Sequence, residues 1–231
     1  MIILSLLFSA LFGAFLAQKF VQRHEDFIKI FLSFTGAFLF GITITHLFPK
    51  LYLHNSISIS TFILLGFLIQ LGLESLSSGI EHGHIHTHEG HSHVSLSMLL
   101  GLGVHAFLDG LPLSLANSPH DHSHWQFGII LHKIPEAFAL MIVMMSMGWS
   151  NAKRWFIICV FAMLAPSGYL LGDHVVISYW QNLVTPLLAL VAGGFLHISA
   201  TILFESGAKM HGIEWYKLLA IIFGFVIAII L

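Results

Sequence analysis

Residues 95–117 read SLSMLLGLGVHAFLDGLPLSLAN, and residues 125–148 read WQFGIILHKIPEAFALMIVMMSMG. At about 1.5 Å per helical residue, either stretch is long enough to cross a hydrocarbon core about 30 Å thick. Each also holds ionisable groups at its centre: His105 and Asp109 in the first, His132, Lys133 and Glu136 in the second. The remaining residues place both stretches in a bilayer. Hydrophobic residues make up 57% of the 231-residue chain and charged residues only 9%, with a mean hydropathy of +0.89. A soluble domain of ordinary composition is near a quarter charged, so this chain could not cover itself with polar surface.

Working outward, apolar segments of spanning length lie near 2–19, 27–48, 57–77, 95–117, 125–148, 154–173, 183–205 and 214–231. The expected fold is therefore all-α, a polytopic membrane protein of eight transmembrane helices forming a single domain over 1–231. A cleaved leader would carry basic residues ahead of its apolar part. Here Lys19, Arg23 and Lys29 follow it, so the first segment reads as a span. Lys153 and Arg154 lie at the fifth connection and Lys209 and Lys217 at the seventh, while Lys50 stands alone on the opposite side. The positive-inside rule then puts odd-numbered connections in the cytoplasm and both termini outside, in a plasma or inner membrane. The net charge of −2 gives no nucleic-acid partner, and the lone Cys159 excludes a disulfide scaffold. Gly36-Ala37-Phe38-Leu39 in the second segment recurs as Gly193-Gly194-Phe195-Leu196 in the seventh, which runs the other way. An inverted repeat of segments 1–3 and 6–8 around 4 and 5, common in secondary transporters, accounts for this; so does chance among abundant residues.

His105 and Asp109, and His132 and Glu136, are each four residues apart, which puts both members on one helix face. Counting from the cytoplasmic side, His105 lies roughly 15 Å and Asp109 about 21 Å deep, with Glu136 about 14 Å and His132 about 20 Å. His105 then faces Glu136 and Asp109 faces His132. Two carboxylates and two imidazoles around one midplane point suit a divalent transition ion. A buried hydrogen-bonded network without an ion is the competing reading. Asp109, Lys133 and Glu136 together would then cost roughly 8–10 kcal/mol with no return. Pro135 and Pro112 crowd the carbonyls of Leu131 and Leu108, beside the same point.

At these residues the chain resembles the ZIP family of divalent-metal transporters. The family pattern is close to H-N-x-x-D/E-G, here His105, Ala106, Asp109 and Gly110, with Ala106 in place of the Asn. The pattern H/Q-polar-x-P-E/H is met by His132, Lys133, Pro135 and Glu136. His46-Leu47-Phe48-Pro49 is similar to the H-L-x-P end of the family's second helix, and Gly193–Leu196 to the G-x-F-L of its seventh. The resemblance implies alternating-access transport of zinc, with Fe2+, Mn2+ or Cd2+ as further cargoes, toward the cytoplasm. It implies no resident cofactor and no enzyme activity, and it is compatible with a homodimer. It also implies a site often built for two metals, and here the chain departs. Ala106, Lys133 and Ala165 stand where the second ion's ligands would be, and none offers a lone pair to a metal. The resulting expectation is a single-metal site with the Lys133 ammonium near the missing ion, holding the shared carboxylates charged and in position. The alternative is that Lys133 turns away to a distant partner.

Seventeen histidines exceed what packing needs. His82, His84, His86, His88, His91 and His93 crowd the third connection, giving a His-rich cytoplasmic loop at 81–94 that reads as a metal acceptor or sensor, or as a solvated loop. His120, His122 and His124 form an outer cluster that could capture ions or simply be polar. His46 and His197 read as pathway or core histidines, and Glu74 and Glu205 as exit acids or interfacial ones. Two other classes compete with transport. A membrane-embedded zinc hydrolase needs an open metal position and a general base, and no H-E-x-x-H occurs. A metal sensor or scaffold that does not transport needs only the site.

Overall fold

In a computed structural model, residues 1–20, 25–53, 57–77, 96–115, 122–207 and 214–230 are described, and all regular structure among them is helical. The helices in chain order are α1 (Ile2–Phe20), α2 (Glu25–Ile42), α3 (Ile57–Ser77), α4 (Leu96–Leu115), α5 (His122–Ser146), α6 (Asn151–Leu171), α7 (Val184–Gly207) and α8 (Trp215–Ile230). α2 is prolonged by a π-helical turn (Thr43–Leu47) and a last α-turn (Phe48–Tyr52), and α6 by a π-turn (Gly172–Val176) and Ile177–Tyr179. Each of the expected spans is therefore a helix. Seven are long and apolar enough to cross a membrane, while α8 is shorter at 16 residues. Large side chains such as Leu4, Phe8, Leu64, Phe156, Phe204 and Ile229 are exposed on the outside, as befits a surface whose solvent is lipid.

The pairing of helices follows the small residues. In lipid no hydrophobic force drives helices together, so close backbone approach carries the packing. A Cβ on Gly13 of α1 would lie 2.1 Å from the Ile134 carbonyl oxygen of α5, and one on Gly110 of α4 would lie 1.9 Å from the Ala165 carbonyl oxygen of α6. Gly66 and Gly193 bring α3 and α7 equally close. α1 thus packs on α5, α4 on α6, α3 on α7 and α2 on α8. Ala10, Ala14, Leu102, Ala106, Phe138 and Phe161 belong to one apolar cluster shared by α1, α4, α5 and α6. The second apolar cluster draws on all eight helices, with Phe38, Ile63, Phe195 and Ala228 beside Leu6, Leu111, Ile129 and Ala165.

The α5–α6 connection shows why the chain turns where it does. Gly148 takes a φ of 68°, open to glycine without strain. Trp149 N donates to Met144 O and Gly148 N to Met145 O, closing the helix end. Ser150 then caps α6, its hydroxyl oxygen accepting from the Lys153 N–H at 3.4 Å. At the far end of α2, Pro49 has no N–H to donate and crowds the carbonyl four residues back. The π-turn at Thr43–Leu47 precedes it and carries His46.

Candidate metal centre

α4 and α5 cross near their middles, and both run through an internal proline, Pro112 and Pro135. The four-residue spacing on each helix turns His105 with Asp109, and His132 with Glu136, into the gap between them. His105 Nε2 lies 3.4 Å from Asp109 Oδ2 and 3.6 Å from Glu136 Oε1. One donor atom from each of His105, Asp109, His132 and Glu136 falls within 4.8 Å of the others, and all four residues are buried. The two imidazole rings stand nearly perpendicular, at 82° with centroids 6.0 Å apart. An ion bound at about 2.1 Å with tetrahedral geometry separates its ligand atoms by about 3.4 Å. The His105 contacts have that span already.

Lys133 faces the site. Its Nζ lies 2.6 Å from Asp109 Oδ2 and 2.5 Å from Glu136 Oε2, and the side chain is 2% exposed. Phe161 of α6 covers it, with Nζ 5.6 Å from the ring centroid. The alternative in which this lysine seeks a distant partner is thereby set aside. Glu136 divides its two oxygens between neighbours, Oε1 toward His105 and Oε2 on the ammonium. With neutral imidazoles, the cluster carries two negative charges and one positive.

Ala106 is fully buried in the cluster of α1, α4, α5 and α6. Ala165 is 3% exposed, and its carbonyl is the atom against which Gly110 packs. Both alanines are buried, and neither side chain carries a donor atom for a metal.

The other residues singled out by the sequence scatter. His46 Nδ1 lies 2.7 Å from Thr45 Oγ1, within hydrogen-bond distance, and stands outside the four-residue cluster. His197 of α7 is hydrogen-bonded through Nε2 to Glu74 Oε2 of α3, and its ring meets Phe67 edge-on at 4.7 Å. The sequence offered these two as separate residues; the α3–α7 packing makes them a pair. Glu205 lies on the last turn of α7, and His122 and His124 on the first turn of α5; their side chains are outside the described residues. So are His82, His84, His86, His88, His91, His93 and His120. Sequence reasoning passed over Gln70, a buried amide on α3 that lines one small cavity together with His105 and Asp109. Its signal was present: Gln70 lies four residues before Glu74, on the same face of an otherwise apolar helix.

A family model described as ZIP zinc transporter matches residues 81–231. No curated protein matches the chain. The matched stretch holds both His-x-x-x-acid pairs, Lys133 and His197, and begins after α3.

Proposed function

The chain belongs to the ZIP zinc transporter family, and from that premise we propose that it moves a divalent transition metal, zinc foremost, toward the cytoplasm through one midplane ion site. The observation that carries this reading is the buried set of His105, Asp109, His132 and Glu136 within ligand distance of one another. Imidazole and carboxylate together suit zinc, and two carboxylates offset its charge. The ammonium of Lys133 supports a site for one ion, since it bonds one oxygen of each acid, Asp109 Oδ2 and Glu136 Oε2. A second divalent ion there would meet a fixed positive charge and two alanines.

Alternating access around this site is supported by how the helices pair. All four ligands come from α4 and α5, which share one apolar cluster with α1 and α6 and contribute Leu111 and Ile129 to the other. In this reading α2, α3, α7 and α8 are the frame against which α1, α4, α5 and α6 move. The pairs α1–α5, α4–α6, α3–α7 and α2–α8 are unchanged as a set when 1 is exchanged with 6, 2 with 7, 3 with 8 and 4 with 5. That invariance favours the inverted repeat of helices 1–3 and 6–8, the common plan of secondary transporters. In this reading His46 lies toward the outer entrance, and Glu74 with His197 lies one turn beyond Gln70 on the cytoplasmic side. The His-rich loop at 81–94 receives or senses ions on that side, and both termini are outside.

The test is flux. Purified protein in liposomes loaded with a zinc-sensitive dye should give a signal on external zinc, and Asp109→Ala should reduce it to background. Zinc bound by the wild type without any flux would favour the sensor over the transporter.

A further inference from the structure

Gln70 is 3% exposed, and its Nε2 has no hydrogen-bond partner among the described protein groups. A buried amide left in that condition is costly, and native structures avoid it unless water or a ligand supplies the partner. The amide lines a small cavity between α3, α4 and α7, whose wall also includes His105, Asp109, Leu108 and Gly194. The cavity offers about 20 Å³ to the centre of a water-sized sphere. One water needs roughly 10–15 Å³ by that measure and two to four polar partners. The Gln70 amide and the Asp109 carboxylate are two, and an ion held by His105 and Asp109 would be the third. Gly194 keeps the space open: a methyl group there would come only to 3.9 Å from Gln70 Cβ and 4.0 Å from its Oε1, so the space can be filled without a clash.

We propose that Gln70 is a specificity-determining residue, holding in this cavity a water that joins the transported ion as an additional ligand. The proposal rests on the transport reading above and deepens it. Four protein ligands complete the coordination of zinc. Manganese and iron(II) accept more ligands and take oxygen readily. A water position beside a four-ligand site therefore widens the range of ions carried, from zinc alone to those that keep part of their hydration.

Two substitutions remove the water by different routes. Gln70→Leu deletes the amide, and Gly194→Ala fills the cavity from the opposite wall while leaving the amide in place. Two readouts apply: the visible spectrum of Co2+ bound to the purified protein, and the ratio of Mn2+ to Zn2+ flux in the same liposomes. The expected wild-type spectrum is the weak one of five- or six-coordinate cobalt, turning in both variants to the intense bands of tetrahedral cobalt. The Mn2+-to-Zn2+ flux ratio should fall roughly tenfold in both, the usual effect of losing an outer-shell partner. A tetrahedral spectrum already present in the wild type, or a spectrum and ratio unmoved by either variant, overturns the proposal. Wild-type liposomes that carry neither ion would overturn the transport reading instead, and the cobalt spectrum would still decide the water ligand.

Discussion

Replacing Lys133 by methionine should make the protein hold zinc more tightly and release it more slowly. Nζ is 2.6 Å from Asp109 Oδ2, and an ion bonded to that oxygen at about 2.1 Å is at most about 4.7 Å from the ammonium. At an effective dielectric of about 20, a single positive charge repels a divalent ion at that distance by about 7 kcal/mol, twice the value for two unit charges. Relaxation and hydration of the two acids left unpaired in the variant absorb most of this. A tightening of roughly ten- to a hundredfold, about 1.4–2.8 kcal/mol, is what should survive. The empty variant should also be less stable, because removing one partner of a buried ion pair costs about 3–5 kcal/mol. Zinc should therefore raise its melting temperature by more than it raises that of the wild type. The assay is competition with a chelating dye on purified protein, run beside thermal unfolding with and without zinc. A folded Lys133→Met protein that binds zinc ten times more weakly than the wild type would refute the argument, and would mean that the ammonium aims the carboxylates at the ion.

Two further outcomes follow from the packing around the site. Gly13→Ala would place a methyl group against the Ile134 carbonyl, between Lys133 and Pro135; overpacking of this kind should cost about 1–3 kcal/mol, seen as a lowered melting temperature. Glu74→Gln keeps the shape of the residue bonded to His197 while removing its charge. If the pair serves release, maximal zinc flux should fall roughly tenfold with little change in apparent KM, and an equal loss in equilibrium zinc binding would count against that role.

How much of this was legible before the fold depends on range along the chain. The fourth stretch, expected at 95–117, is the helix Leu96–Leu115, and the fifth, expected at 125–148, is His122–Ser146. Apolar length and a period of 3.6 are local properties, so they read directly. The facing of His105 and Glu136 came from depth alone, since two antiparallel spans share one membrane thickness. The direction of Lys133 was not legible. A long flexible side chain can reach several partners, and only Phe161 and the two acids around it decide among them. The Glu74–His197 pair joins residues 123 positions apart, through a glycine-mediated contact that spacing within one helix cannot reveal. Gln70 was overlooked for a similar reason, because an amide in a span stands out only when the cavity beside it is seen. The π-turn at Thr43–Leu47 depends on how α2 meets Pro49 and its packing neighbours, and periodicity is blind to it.

The Lys133–Glu136 contact has a bearing on how the protein enters its membrane. The two residues are three apart on α5, so they neutralise each other within one helical turn before any other helix is present. Each charge alone would add roughly 2.5–3.5 kcal/mol to the insertion of that helix, and the internal pair removes much of that burden. On α4 the neighbour of Asp109 is His105, which carries a charge only when protonated; the ammonium that compensates Asp109 arrives with the next helix, through Lys133. α4 and α5 are therefore best inserted together, as a hairpin closed by one ammonium shared between them. The cation that sits against both acids of the site is also what lets two acid-bearing helices leave water.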